Sequence, residues 1–207
     1  MARFNRFYAL GKLIFSGQEI KDLVFAWLAV AVIFTIAFRP SNNYAVIALY
    51  FIIYLFFAGL GVILHELSHK FVAQKYHYNA FFIANYQFTL VSLMISIFGV
   101  VLIAPGAVYI TPAPDRKRGA NISVAGPAMN AALAVLFLLL AFASPPFANI
   151  MVLGAMLNAY LAVFNMLPIP GFDGSKIWGS DNLKGVIVAI IAVAALAATY
   201  AMQSGIL

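Results

Sequence analysis

A chain of 207 residues that is 65% hydrophobic and only 9% charged, with a mean hydropathy of +1.00, has too few polar side chains to cover a soluble globule. This excludes the water-soluble classes and predicts an all-α polytopic membrane protein, one membrane domain over residues 1–207. The net charge of +6 is not read as a nucleic-acid footprint, because the basic residues flank apolar segments, where they orient a chain in a lipid bilayer.

Residues 1–22 set Arg3, Arg6, Lys12 and Lys21 among Phe4, Phe7, Tyr8, Leu10, Leu13, Ile14 and Phe15, the pattern of a basic amphipathic segment lying on the inner membrane face. Ser16-Gly17-Gln18-Glu19 has the spacing of a capping box and starts a helix that continues as a first span over residues 23–38. Arg39-Pro40-Ser41-Asn42-Asn43 turns the chain back, and a second span begins near Tyr44. Residues 88–103 are apolar, but Ala104-Pro105-Gly106 interrupts them, and Gly106, Ala107, Val108, Tyr109 and Ile110 read as a short strand. Sixteen helical residues rise about 24 Å and seven extended ones return about 23 Å, the arithmetic of a re-entrant helix and strand element. An ordinary kinked span ending in a loop is the other reading. Strand backbone is not tolerated in lipid, so residues 106–110 must be covered by protein or line a wet cavity. That makes them a candidate edge for docking an extended peptide by strand addition. Asp115-Arg116-Lys117-Arg118-Gly119 reads as a charged loop. Spans over residues 121–143, 147–169 and 185–202 bring the total to about five or six membrane helices.

The chemistry concentrates in residues 61–70, GVILHELSHK, directly after a run of 21 uncharged residues from 44 to 64. His65 and His69 are four apart, so on a helix both imidazoles leave one face and can share a Zn²⁺, with Glu66 beside them for proton transfer. Two His and a Glu at a membrane border could instead be structural, snorkelling to headgroups or bonding to neighbouring helices. Against that, the chain has three His in all, and two of them share a five-residue window with one of its two Glu. With no Cys in the chain, any metal must take N and O ligands.

A third ligand is found by elimination. Val72 and Lys75 stand where a metzincin continuation needs Gly and His. Glu19 and Asp22 precede the first span, Asp115 and Asp181 sit in charged loops, and His77 is eight residues past His69. Asp173 follows a long apolar span and lies between Gly171 and Gly174, which permit a tight bend. Its competing role is a turn Asp satisfied locally. If residues 88–110 are re-entrant and the N-terminus is cytosolic, 11 of the 12 Lys and Arg fall on the inner face, with only Arg39 outside. The same topology of a multi-pass cell-membrane protein brings His65, His69 and Asp173 to the cytosolic side.

Three motifs in this order, His65-Glu66-Leu67-Ser68-His69, Gly126-Pro127-x-x-Asn130 and Asn165-x-x-Pro168-x-Pro170-x-x-Asp173-Gly174, resemble those of the site-2 proteases, zinc-dependent intramembrane proteases. The resemblance runs from about residue 44 to 177, which would be the catalytic core. It implies that His65, His69 and Asp173 bind one Zn²⁺ per chain, that Glu66 is the acid/base, and that Asn165 helps hold substrate or the developing oxyanion. It also implies that residues 106–110 form a membrane-embedded strand that engages a transmembrane protein substrate. The chain departs from many members in having no segment for a PDZ or CBS domain, and in the long apolar stretch at 88–103. The expected reaction is metal-assisted peptide hydrolysis, with Lys176 a headgroup anchor. The alternative is a membrane metal transporter or metal-binding protein using the same three ligands, which would leave Glu66 without a task.

Overall fold

The computed structural model describes residues 7–10, 13–39, 41–180 and 183–204. It opens on two antiparallel strands, β1 (Phe7–Leu10) and β2 (Leu13–Ser16), with Leu10 opposite Leu13. The basic amphipathic pattern of the N-terminal segment did not anticipate this hairpin. Its sequence signal is Gly11-Lys12, a Gly-first pair between the apolar runs 7–10 and 13–15. Arg3, Phe4, Arg6 and Lys12 lie outside the described residues.

Helix α1 (Gly17–Ala37) starts with the expected capping box: Ser16 Oγ accepts from Glu19 N at 3.1 Å and Glu19 Oε2 accepts from Ser16 N at 3.3 Å. After Asn43, whose side chain accepts from Ala45 N, the chain runs as α2 (Tyr44–Tyr54), a π-helical turn (Leu55–Gly59) and α3 (Leu60–Lys75). The π turn widens the helix by one residue, and carbonyls so loosened find side-chain donors. Leu55 O accepts from Trp27 Nε1 at 2.8 Å, and Phe57 O accepts from Asn158 Nδ2 at 3.1 Å.

Past α3, His77 turns the backbone in a left-handed conformation (φ 64°) into β3 (Asn79–Ala84). Helix α4 (Tyr86–Ser96) follows, then a turn over residues 97–99, an irregular leg and β4 (Gly106–Thr111), antiparallel to β3. Asn85 N donates to Pro105 O at 2.8 Å, so both ends of the α4 excursion meet. The element is therefore re-entrant, as the length arithmetic predicted. Its helix is 11 residues rather than 16, and its strand is paired rather than single.

The predicted charged loop is a helix, α5 (Arg116–Ser123), because Asp115 Oδ1 caps it through Arg118 N at 2.9 Å. It runs almost without break into α6 (Ala125–Ala143), and a short 3₁₀ turn leads to α7 (Ala148–Asn165). A four-residue α8 (Gly174–Ile177) and α9 (Leu183–Gln203) complete the described chain. Among the described residues five helical stretches are long and apolar enough to cross a bilayer: 17–37, 44–75, 116–143, 145–165 and 183–203. Each exceeds about 30 Å at 1.5 Å per residue. This is the all-α polytopic membrane architecture expected from composition. Helices α3, α6, α7 and α9 pack in sequence, with Val62, Ala134, Phe137, Ala155, Leu157 and Ala195 between them. Outward faces carry Leu49, Ile52, Leu139, Ile190 and Val193, the side chains that lipid accepts.

Three side chains, Lys70, Glu19 and Asp22, fasten β3 to the helices. Fully buried Lys70 donates to Glu19 Oε1 at 2.6 Å and to Ala80 O at 2.8 Å. Glu19 Oε1 also accepts from Phe82 N at 2.9 Å, and Asp22 Oδ2 from Ala84 N at 3.2 Å. Removing one partner of such a pair typically costs about 3–5 kcal/mol, because the other charge is left buried and alone. Lys70, one of the 11 basic residues assigned to the inner face, is thus an internal ion-pair partner. The clamp also fixes which way the strand groups point. Residues 80, 82 and 84 of β3 spend their backbone groups on α1 and α3, so 79, 81 and 83 bond to β4. By register, Gly106, Val108 and Ile110 then direct theirs to the opposite edge of β4.

Candidate active site

On α3, His65 and His69 stack edge to face with ring centroids 4.7 Å apart, both buried. Each Nε2 lies 3.1 Å from Asp173 Oδ2. The other ring nitrogens are engaged: His65 Nδ1 with Asn130 Oδ1 at 2.6 Å and His69 Nδ1 with the Ile122 carbonyl at 2.8 Å. Both partners are acceptors, so each ring carries a hydrogen on Nδ1 and presents its Nε2 to Asp173.

Asn130 is itself held. Its Nδ2 donates to Gly61 O at 3.1 Å and to Asn158 Oδ1 at 3.0 Å, while Asn158 Nδ2 donates to Phe57 O and Gly154 O. Both Asn are fully buried, and this chain of bonds ties His65 to the π turn. Gly126 completes the wall: a Cβ there would fall on the Nε2 atoms of both histidines. The position therefore keeps open the space into which the donors point. Asn130→Ala is expected to weaken zinc binding about 10- to 100-fold by releasing the His65 ring, while the helical content measured by circular dichroism stays native. Unchanged zinc affinity would show that the ring is held without Asn130.

Asp173 arrives by the bend that its flanking glycines permit. Gly171 has φ 99°, where only glycine is unstrained, and at Gly174 the backbone approaches the carbonyls of Met166 and Leu167 too closely for a side chain. Trp178 Nε1 pins the bend by donating to Met166 O at 2.6 Å. Burial disfavours the Asp173 carboxylate, but His69 and His65 outweigh it and hold the pKa below the ordinary carboxylate range, so the group is anionic at neutral pH. One donor atom from each of His65, His69 and Asp173 lies within 4.8 Å of the others.

A cavity of about 170 Å³ opens on this cluster, lined by His65, Glu66, His69, Asn165, Asp173 and Lys176 together with Gly106, Ala107, Val108 and Ile110 of β4. Glu66 stands beside the donor cluster without belonging to it, its carboxylate facing the backbone amide of Val108. Asn165 donates to Leu161 O with one amide hydrogen, leaving the second for the cavity. Tyr109 is the predicted strand residue that does not line this cavity; its side chain is mostly exposed and borders an adjoining one of about 460 Å³. Lys176 lines both, so it faces the site rather than only a membrane surface. Asn158 escaped the sequence reading, although an Asn inside an apolar helix is costly unless bonded and so carries its own signal.

The chain is 41% identical over 172 residues to a protein of Methanocaldococcus jannaschii named "Putative zinc metalloprotease MJ0611", a match covering 79% of this chain and 84% of that one. The chain belongs to the same zinc metalloprotease family. No protein-family model and no solved structure matches it. For a zinc metalloprotease the donors fit the metal: two imidazole nitrogens and one carboxylate oxygen, with a cavity on the open side, make the catalytic rather than the closed structural pattern. Gly126 leaves the room such an ion requires.

Proposed function

We propose that this metalloprotease is of the site-2 type and hydrolyses peptide bonds within or near transmembrane segments of other membrane proteins. His65, His69 and Asp173 would hold one zinc ion, and Glu66 would be the acid/base. One observation carries the reading: Glu66 and the three donors share a cavity with the edge of β4 that no strand pairs among the described residues, inside a chain whose helices are long and apolar enough to span a bilayer. A soluble protease needs no such helices, and a metal carrier needs no strand edge beside its ligands.

When bound, zinc supplies Lewis-acid polarisation of the scissile carbonyl and an acidified water. The residues of the chain do the rest. Asn130 and Ile122 keep the two imidazoles turned to the site, and Gly106, Ile110 and the Val108 carbonyl offer backbone groups to an extended peptide. Glu66, at the Val108 amide, takes a proton from the attacking water and returns it to the leaving nitrogen. The spare amide hydrogen of Asn165 holds the substrate carbonyl. The test is cleavage of a single-helix substrate by the zinc-loaded protein in liposomes. Hydrolysis of soluble peptides with every membrane helix left intact would confine the enzyme to ordinary proteolysis.

The N-terminus and the site are placed on the cytosolic side of the cell membrane in this reading, with the transmembrane substrate entering from the bilayer. The cysteine-free chain allows a direct check: single cysteines at Thr111 and Gly119 should both label from the cytosolic side. Labelling from the outside would invert the topology.

A further inference from the structure

The leg that joins α4 to β4 is stretched and bare. It leaves Gly99, where a Cβ would lie 3.7 Å from Ala37 O at the end of α1, and reaches Pro105, which is bonded to Asn85 next to the Ala84–Asp22 contact. From Asp22 to Ala37 the α1 helix rises about 22 Å, and six extended residues reach about 20 Å. The leg therefore runs along most of the depth of an apolar helix. Val101 and Ile103 pack on the cluster containing Val30, Phe34 and Phe57, while Val100 and Leu102 are 47% and 37% exposed. That alternation is the signature of a strand.

A strand needs a partner, and this one has none among the described residues. From Val100 to Ala104 no backbone N–H or C=O makes a hydrogen bond to any of the described residues. Thr89, Ser92 and Ser96 of α4 donate their hydroxyls to backbone carbonyls at positions 85, 88 and 93, and no side-chain bond to the leg is made among the described residues. Lipid offers neither donors nor acceptors. At its lower end the leg enters the site, where Ile103, Ala104 and Pro105 line the cavity with His65, Glu66 and Asp173.

We propose that residues 100–104 are a second docking edge, pairing backbone to backbone with the stretch of the substrate's transmembrane segment that lies deeper in the membrane than the scissile bond. The proposal rests on the intramembrane protease reading and extends it. A helix opened in lipid leaves peptide groups that must find new partners. The edge of β4 serves only the few residues around the bond, and the leg serves those beyond, past the bend at Pro105.

Leu102→Pro tests this, since it deletes an N–H that has no internal partner at a residue whose side chain faces outward. Zinc content and cleavage of a short soluble peptide, which reaches only β4, should stay native. Cleavage of the same sequence embedded in a membrane helix should fall about tenfold. In parallel, a single cysteine at Leu102 in the Glu66→Gln protein should form disulfides with alternate cysteine positions on the deep side of a bound substrate helix. This arm stands even if the proline variant fails to fold. Native cleavage of the helix by a zinc-loaded Leu102→Pro protein overturns the proposal. So does cross-linking of Leu102 only to a second copy of the chain, or to no substrate position. A native protein that cleaves soluble peptides but no membrane helix defeats the reading on which the proposal rests instead.

Discussion

Glu66→Gln is expected to keep its zinc and lose its proteolysis, with kcat down by about a hundred- to ten-thousandfold, the usual worth of a positioned general base. The side chains are nearly the same size, and Glu66 is not among the three clustered donors, so the cluster of His65, His69 and Asp173 should be undisturbed. A carboxamide still faces the Val108 amide, preserving the contact with β4. What it cannot do is accept a proton from water. Metal analysis and single-turnover cleavage of a reconstituted helix separate the two effects. A zinc-loaded Glu66→Gln protein with full activity would show that the proton is handled elsewhere.

Much of the fold and the cluster was legible because the signals were local. The four-residue spacing of His65 and His69 survives as two rings on one face of α3, and the capping box at Ser16 forms as written. Pro105-Gly106 marks the end of the re-entrant leg, and Gly171 and Gly174 mark the bend that delivers Asp173. The sequence was silent where the deciding partner lies far along the chain. Strand β3 exists because β4 pairs with one edge and Glu19, Asp22 and Lys70 satisfy the other, contacts that span up to 63 positions. Nothing within residues 79–84 announces them. Asp115 was passed over as a cap because three basic residues and a glycine follow it, a poor opening for a helix whose dipole is positive at that end. The π turn is a further case: no residue type marks it, and its carbonyls are satisfied by Trp27 and Asn158 from helices read as plain spans.

On the proposed reading, Asp173→Ala should cost zinc and cleavage together. Its Oδ2 stands 3.1 Å from both Nε2 atoms, so its loss leaves two imidazoles, a set that holds zinc weakly. Affinity is expected to fall by more than about a hundredfold, beyond what loss of a supporting hydrogen bond produces. Glu66 is a poor substitute. It leaves the helix about 100° away from His65, and a carboxylate drawn onto the metal would no longer be free as a base. The measurements are zinc retained after gel filtration, cleavage of the reconstituted helix, and zinc flux into proteoliposomes of the native protein. A protease gives the first two falling in step and no flux, whereas native flux without cleavage of any helix would favour a carrier built on the same three side chains. Unchanged zinc content in Asp173→Ala would move the third ligand elsewhere. His77 is not placed to take that part, since it stands exposed past the end of α3 and outside the donor cluster.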